Sequence, residues 1–322
     1  MRISLLDRSR TRAGQTDAEA VATTIARAVA ADGLGIHRFW TAEHHAVPGI
    51  ASASPAVLLA AIGARTSRIR IGTGGIMVPN HRPLAIAEQA LLLEAMHPGR
   101  VDLGLGGSLG FTAPIRRALG RTELGEGEYA AEVEEVREYL TGRGAVTARP
   151  RVDPPPMFLL AIRDGLSLAA EFGLPAVVGG SLLRDRVAID RYRQEFRPSE
   201  QWPEPQIIAS VEVSIAETAN EARELLLPEA WAFADSRDVG EFRALQPVDE
   251  ARRLLGSVTN PKKARSIEGW IRSAVAGTAD EVAGELARIA EAAGAEEILA
   301  TVSTYDPEVV LRTDAALARM QG

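Results

Sequence analysis

The segment "RIRIGTGGIMVPNHRPLAIAEQ" (Arg68–Gln89) places a glycine pair, Gly74 and Gly75, near the end of a strand-like run. Apolar and other residues alternate up to Met77, and the leucine-rich helix-like stretch Leu84–Met96 follows. Glycine weakens a strand interior, so it usually marks a bulge, a bend or a molecule lying close to the backbone. The segment therefore predicts a strand with a special backbone feature, followed by a helix.

The same alternation of strand and helix signals runs along most of the 322 residues. Eight strands, each followed by a helix, are typical of a (β/α)8 TIM barrel. A doubly wound open sheet has similar spacing and stays an alternative. The strand candidates are Arg2–Leu6, Arg38–Ala42, Ile69–Ile76, Arg100–Leu105, Met157–Ile162, Ala176–Gly179, Gln206–Ile215 and Glu297–Val302. The other helix candidates are Asp17–Ala31, Pro55–Ala64, Ala130–Leu140, Leu166–Phe172, Asp185–Phe196, Glu217–Phe233 and Ala279–Ala293.

The alternation of strand and helix signals stops at Ala234–Ala276, a segment of mixed polar and apolar residues that precedes the last predicted helix and the eighth strand. An insertion of this length is more often a lid or binding loop than a linker. We expect one barrel domain over residues 1–322, with residues 234–276 as a candidate lid. A surface helical excursion without a gating role is the alternative.

Composition narrows the class of protein. The chain is 46% hydrophobic and 25% charged, and its net charge of −7 is spread along the sequence without a basic block, so nucleic acid is not an expected partner. It has no cysteine, which excludes disulfides and thiolate chemistry. Its first residues resemble a strand rather than a signal peptide, and no apolar run reaches membrane-spanning length. We expect a cytoplasmic protein without membrane contact.

Four short stretches follow predicted strands, where a barrel gathers its chemistry. They combine histidines with glycine-rich turns, and such turns let a flat ligand approach the backbone. The stretches are "AEHH" (Ala42–His45), "TGGIMVPNH" (Thr73–His81), "GLGGSLG" (Gly104–Gly110) and "AIRDGLS" (Ala161–Ser167).

These residues also allow other interpretations. Glu43, His44, His45 and His81 could ligate a metal, but adjacent residues of an extended segment point to opposite sides and no HExxH motif is present, so we expect no metal. A dinucleotide fingerprint needs glycine where Leu109 stands. A histidine at a barrel mouth could also be a hydrogen-bonded structural residue.

The stretch "RFWTAEHHAVPGIASASPAVLLAAIGARTSRIRIGTGGIMVPNHRPLAIAEQ", followed by "LEAMHPGRVDLGLG", resembles the bacterial luciferase-like, flavin-dependent monooxygenases. The likeness returns at "FGLPAVVGG" and "AGTADEVAGELARIAEAAGAEEILATVS", and so covers most of the chain. The family fold is the (β/α)8 barrel. Its members bind reduced FMN in the barrel mouth, usually from a separate reductase, and use O2 to oxygenate an organic substrate.

The resemblance assigns roles to particular residues. His44 matches the catalytic histidine of the family, with His45 supporting the wall and Asn80 and His81 as weaker candidates at the mouth. The family has a non-prolyl cis peptide that supports the flavin ring, and here it would join Gly74 and Gly75; a β-bulge is the alternative.

The sequence departs from the family beside the expected flavin site. Glycine and serine follow strand four, which leaves room for a bulky substrate, and "IRDG" replaces the usual phosphate loop after strand five. A helix amino terminus there can still bind phosphate. The residues expected to bind the cofactor are Gly74, Gly75, Gly106, Gly107, Ser108, Ile162, Arg163, Gly165 and Leu166.

The resemblance favours an FMN-dependent monooxygenase that takes reduced FMN from a separate flavin reductase and acts on O2 and a small organic molecule. A deazaflavin (F420)-dependent oxidoreductase and a flavin-binding protein without turnover stay alternatives. Family members pair through helices two and three, and Pro55–Ala64 and Leu84–Met96 are rich in alanine and leucine, so we expect a homodimer.

Overall fold

The computed structural model of the protein describes residues 1–161, 165–199 and 201–321. Eight parallel strands form a closed barrel, because the first strand pairs with the second strand on one side and with the last strand on the other. The predicted TIM barrel is confirmed, and the open sheet is excluded. The barrel strands are β1 (Arg2–Asp7), β2 (Arg38–Thr41), β3 (Arg70–Met77), β4 (Val101–Gly106), β5 (Met157–Ala161), β6 (Ala176–Gly179), β7 (Ile207–Ile215) and β9 (Glu297–Thr301).

Helices cover the outside of the barrel, and among the described residues none has the length and apolar character needed to cross a membrane. They are α1 (Asp17–Gly33), α2 (Pro55–Gly63), α3 (Pro83–Met96), α4 (Ala113–Ala118), α5 (Glu128–Leu140), α6 (Gly165–Phe172), α7 (Arg186–Glu195), α8 (Ala219–Glu224), α9 (Leu227–Val239), α10 (Val248–Gly256), α11 (Pro261–Ser273), α12 (Ala279–Ala293) and α13 (Pro307–Ala318).

The region before the eighth barrel strand differs most from the prediction. The single helix expected over Glu217–Phe233 is wrong: two helices, α8 and α9, occupy the region. Pro228 lies in the first turn of α9, where its missing N–H is tolerated, whereas a continuous helix would place it in the interior. Residues 234–276 hold the end of α9, α10, α11 and a short strand, β8 (Val275–Gly277), which pairs with the outer end of β7.

The barrel interior is filled from its amino-terminal end. Arg38 forms ion pairs there with Asp102 and Glu297 at 2.8 and 2.9 Å, and all three side chains are buried. A layer of large apolar side chains lies above this charged floor, and the Trp40 ring packs edge to face on Phe158 at 5.2 Å. The layer consists of Trp40, Phe158, Val177, Ile208 and Leu299. The interior is therefore solid up to the level of Trp40.

The glycines of β3 fit around this layer. A Cβ on Gly72 would lie 2.5 Å from Trp40 Nε1, and one on Gly74 would lie 2.5 Å from Leu6 Cδ1. The peptide bond between Gly74 and Gly75 is cis, and the pairing of β3 with β4 also shifts by one residue between Gly74 and Ile76. Both backbone features considered for this glycine pair are thus present.

We expect Gly72→Ala to lower the free energy of unfolding by about 1–3 kcal/mol, because the new methyl group overpacks a filled interior. Gly284→Ala is the matched control: Gly284 lies in α12 with nothing within 4 Å of the added Cβ, and alanine should stabilise the helix by about 1 kcal/mol. Urea unfolding compares the two variants with the natural protein. An unchanged midpoint for Gly72→Ala at an unchanged slope would contradict the packing argument.

Candidate active site

A cavity of about 460 Å³ opens above the filled layer, at the carboxyl ends of the strands. Most of its lining is apolar. Gly74 presents bare backbone on one side, and the polar residue Ser210 lies on another. Its lining residues are Leu6, Trp40, Gly74, Leu160, Ala161, Val177, Gly179, Ser181, Leu182, Ser210 and Leu299. This volume is ordinary for a small-molecule site.

A second cleft of about 930 Å³ adjoins the cavity, because Leu160 lines both. It lies between the turn after β4 and the start of α6. Its polar lining includes Ser108, Ser167 and Arg116.

The residues predicted to bind a cofactor are distributed around these spaces. Gly74 lines the cavity, and Gly107, Ser108 and Gly165 line the cleft. Three other predicted residues do not line either space. A Cβ on Gly75 would meet the β4 backbone, and a Cβ on Gly106 would meet the Met77 side chain. The Leu166 side chain is buried in the core. Ile162 and Arg163 lie outside the described residues.

Glu43 holds together the segments that follow β2 and β3. Its Oε1 accepts hydrogen bonds from His45 at 2.7 Å and Asn80 at 3.1 Å, and its Oε2 accepts from His81 and the Met77 N–H, both at 2.9 Å. Burial alone would raise the pKa of Glu43, but the hydrogen bonds from the histidines outweigh it and lower the pKa to about 2. His45 thus supports the wall, and Asn80 and His81 donate to the same carboxylate.

The same three side chains, Glu43, His45 and His81, place possible metal-ligand atoms within 4.8 Å of one another. His44, considered with them from the sequence, is not part of this group. Each carboxylate oxygen already accepts two hydrogen bonds, so the group is satisfied as a hydrogen-bonded clamp.

His44 points away from this clamp, as alternation along an extended segment requires. Its backbone N–H donates to Ser52 O at 2.9 Å, and its Nδ1 is buried without a hydrogen-bond partner among the described residues. Burial lowers the pKa of His44 to about 4, and the charges of Arg8 and Arg10 act in the same direction. The imidazole is therefore uncharged at neutral pH. It can accept or donate a hydrogen bond, but it does not carry a second ring proton.

A cluster of two arginines and two glutamates lies beside His44, and the sequence interpretation missed all four. Arg8 pairs with Glu212 at 3.0 Å and with Glu229 at 3.3 Å, and Arg10 pairs with Glu229 at 2.8 Å. Glu229 belongs to α9, so the helix before the inserted segment reaches into the mouth. We call Arg8, Arg10, Glu212 and Glu229 the mouth cluster.

Two signals for this cluster were present in the sequence. Arg8 and Arg10 directly follow β1, at the end of the barrel where function gathers. Glu212 is the one charged residue in "IIASVEVSI" of β7, and a charge in a mostly buried strand is rarely there for packing alone. Glu229 offers no such signal, because an acidic residue near the start of a helix is ordinary.

A closed barrel with a cavity, a buried histidine and paired charges at the carboxyl ends of its strands has the architecture of a TIM-barrel enzyme. Comparison with known proteins gives the family: the chain belongs to the luciferase-like monooxygenases, whose family model matches residues 1–297. The resemblance inferred from the sequence is confirmed.

Two relatives are similar over nearly their whole length. The structure of apo-MsnO8 superposes with a TM-score of 0.89 at 33% identity, and covers 99% of this chain and 98% of that one. The N-acetyl-S-alkylcysteine monooxygenase of Bacillus subtilis (strain 168) is 30% identical over 300 residues, which are 90% of this chain and 89% of that protein. A protein named as a monooxygenase is thus among the relatives that match most of the chain.

Two more distant structures share the fold and carry different cofactors. The oxygenating constituent of 3,6-diketocamphane monooxygenase from Pseudomonas putida, in complex with FMN, matches with a TM-score of 0.73 at 18% identity, covering 99% of this chain and 97% of that one. An F420-dependent secondary alcohol dehydrogenase matches with a TM-score of 0.66 at 17% identity, covering 99% and 98%. At these identities the likeness concerns the fold.

Proposed function

We propose that the protein is an FMN-dependent monooxygenase that receives reduced FMN from a separate reductase and inserts one oxygen atom of O2 into a bulky, mainly apolar substrate. The observation that carries this proposal is the glycine-walled apolar cavity next to a cleft whose polar lining residues are Ser108, Arg116, Ser167 and Glu171. The cavity suits a flat ring lying against the bare backbone at Gly74, and the cleft suits a phosphate near Ser108, Ser167 and Arg116. The start of α6 adds backbone N–H groups there.

Reduced flavin, when bound, would supply the electrons that activate O2. The protein's own part is to bind the ring, exclude water and provide a neutral hydrogen-bonding group at His44. The cleft of about 930 Å³ is larger than a phosphate needs and so leaves space for a large substrate, although the Tyr129 ring packs against Gly107 on one side of it. The chain lacks a nicotinamide fingerprint, since Leu109 breaks the glycine pattern, and this supports an external source of reduced flavin.

Anaerobic titration tests the cofactor. We expect reduced FMN to bind more tightly than oxidised FMN or reduced F420, and an oxygen pulse to give oxygenated product from a panel of apolar thioethers and cyclic ketones. His44→Ala should keep the fold and much of the flavin binding but lower coupled oxygenation by about 10²–10³, the usual loss when one hydrogen-bonding group at the reacting atoms is removed. Tighter binding of reduced F420 without oxygen use would favour the dehydrogenase alternative. Reduction of FMN by NADH or NADPH with this protein alone would contradict a separate reductase. Turnover in His44→Ala equal to that of the natural protein would show that His44 has only a structural role.

We also propose that residues 234–276 cover the mouth. Phe242 lies in this segment against the Arg10 guanidinium at 5.6 Å and against the ring of Phe111, in the turn after β4, at 5.5 Å. Backbone hydrogen bonds join Leu245 to Thr11, and Gly49 to Phe242. The segment therefore bridges the turns after β1, β2 and β4. A cover is needed because water reaching an activated oxygen species favours release of hydrogen peroxide.

We expect Phe242→Ala to increase the share of consumed O2 that escapes as hydrogen peroxide, with little loss of reduced-flavin binding. Val239→Ala is the matched control, because Val239 lies three residues earlier and its side chain is 44% exposed. Peroxide is measured against product under identical oxygen pulses. Equal coupling of O2 consumption to product in the two variants would show that residues 234–276 form surface helices without a role in covering the mouth.

We propose a homodimer formed through α2 and α3. These helices contact each other, and they expose Val57, Leu92 and Met96, which are 71%, 51% and 46% exposed. Apolar side chains this exposed on adjacent helices are typical of a subunit interface.

Sedimentation velocity at micromolar concentration should show a dimer, and Leu92→Glu should shift it toward a monomer because the interface would then bury a charge. Val187→Glu serves as the control, since Val187 is 71% exposed on α7, away from the proposed interface. A monomeric natural protein would refute the proposal.

A further inference from the structure

One polar side chain faces the apolar cavity from the barrel wall. Ser210 lies on β7 and lines the cavity. Ile208, two residues earlier on the same face of the strand, packs in the filled layer below, so the Ser210 side chain points to the barrel interior as well. Among the described residues, the other barrel strands that line the cavity present glycine or apolar side chains. The indole nitrogen of Trp40 already donates to Asp102.

The hydroxyl of Ser210 is available to a ligand. Ser210 is half-buried, and no other described residue donates a hydrogen bond to its hydroxyl or accepts one from it. Its partner in the register of β6 is Gly179, which has no side chain to fill the space beside it. A polar group placed in this way in an apolar pocket is what fixes the orientation of a bound molecule.

Ser210 lies across the barrel from the glycine wall. Strand pairing leads from β3 to β7 through β2, β1 and β9 on one side, and through β4, β5 and β6 on the other. Gly74 and Ser210 therefore line opposite walls of the same cavity. A flat ring lying against Gly74 leaves the space in front of Ser210 to a second molecule, which under the proposed function is the substrate.

The chemistry of the lining restricts that substrate. Within the part of the chain that the structure describes, no charged side chain lines the cavity, and a charged ligand group would lose its hydration there without a partner. A hydroxyl can donate to an oxygen acceptor such as a carbonyl, whereas a thioether sulfur is only a weak acceptor. The cavity therefore suits an uncharged molecule that carries an acceptor oxygen on an apolar frame.

We propose that Ser210 is the residue that selects and orients the substrate: its hydroxyl donates a hydrogen bond to the carbonyl oxygen of an uncharged, mainly apolar ketone. This assignment rests on the proposed function, because the ring against Gly74 is what directs the substrate toward β7. The hydrogen bond fixes which way the ketone lies in the cavity. No proton is transferred, so Ser210 is unchanged over a cycle.

The direct test needs no cofactor. Cyclooctanone labelled with ¹³C at its carbonyl is bound to the protein, and its infrared C=O band is compared between variants. A hydrogen bond from Ser210 weakens the C=O bond, so the band should lie at lower wavenumber in the natural protein than in Ser210→Ala. Absence of cyclooctanone binding, or an unchanged band in Ser210→Ala, would overturn the proposal.

Ser214→Ala is the matched control for this measurement. Ser214 lies four residues further along β7, and its hydroxyl also has no hydrogen-bond partner among the described residues. Its side chain does not line the cavity, and the residue is only 5% exposed. The C=O band in Ser214→Ala should therefore stay where the natural protein has it. A shift equal to that in Ser210→Ala would show a general effect of the strand and would overturn the proposal.

Affinity separates a hydrogen bond from simple packing. Ser210→Ala should weaken cyclooctanone binding by about 3–10-fold, the usual contribution of one neutral hydrogen bond. Thiocane, the cyclic thioether of the same ring size, should bind Ser210→Ala and the natural protein equally, because its sulfur accepts only weakly. Ser210→Thr keeps the hydroxyl and should keep the preference for the ketone. Equal weakening of both ligands would refute the hydrogen bond and leave Ser210 as a residue of the wall.

The proposed function and the role of Ser210 can fail separately. With reduced FMN and O2, Ser210→Ala should raise KM for cyclooctanone and leave the binding of reduced FMN unchanged. Absence of reduced-FMN binding to the natural protein would refute the proposed function, while the infrared comparison without cofactor would still decide whether Ser210 binds the ketone. Normal flavin binding and oxygen use, with a C=O band that does not respond to Ser210→Ala, would refute only the role of Ser210.

Discussion

The indole of Trp40 sets the shape of the barrel interior. Its Nε1 donates to Asp102 Oδ2 at 3.0 Å, which ties the ring to the charged floor, and its face and edge occupy the space where side chains of β3 would otherwise lie. Gly72 and Gly74 are glycines because this ring and Leu6 leave no room for a Cβ. The same exclusion leaves a side-chain-free wall above the indole, and that wall borders the cavity. One buried aromatic residue thus gives the barrel both its filling and its ligand space.

Successive residues after β2 serve opposite purposes. Glu43 and His45 face the clamp that joins the ends of β2 and β3, while His44 between them faces the mouth cluster. The clamp is held by a fully hydrogen-bonded carboxylate, so the backbone that carries His44 has little freedom. Rigid support for one side and a buried setting of paired charges for the other come from the same short stretch of chain. This is why a pattern as compact as "AEHH" carries so much of the site.

The sequence was sufficient for the barrel and for the location of its mouth, because strand periodicity and the family motifs are local signals. Most strand limits were predicted to within one or two residues, and the special backbone at Gly74 was expected where it lies. Its close neighbours, Leu6 and Trp40, were not foreseen, since they come from other strands. The mouth cluster escaped for the same reason: Arg10 and Glu229 are 219 residues apart. The helices within residues 234–276 were missed because they are short and strongly charged, with few buried residues.

The pairing of β1 with β9 has a consequence for how the chain is made in the cell. Five residue pairs, from Arg2 opposite Glu297 to Leu6 opposite Thr301, close the barrel. A ribosome adding roughly 5–20 residues per second needs on the order of tens of seconds to travel from the first of these strands to the last. During that interval β1 has an open edge, and open strand edges invite pairing with other chains. Nascent copies of this protein therefore carry a strand edge that can pair with other chains until the final strand has been made.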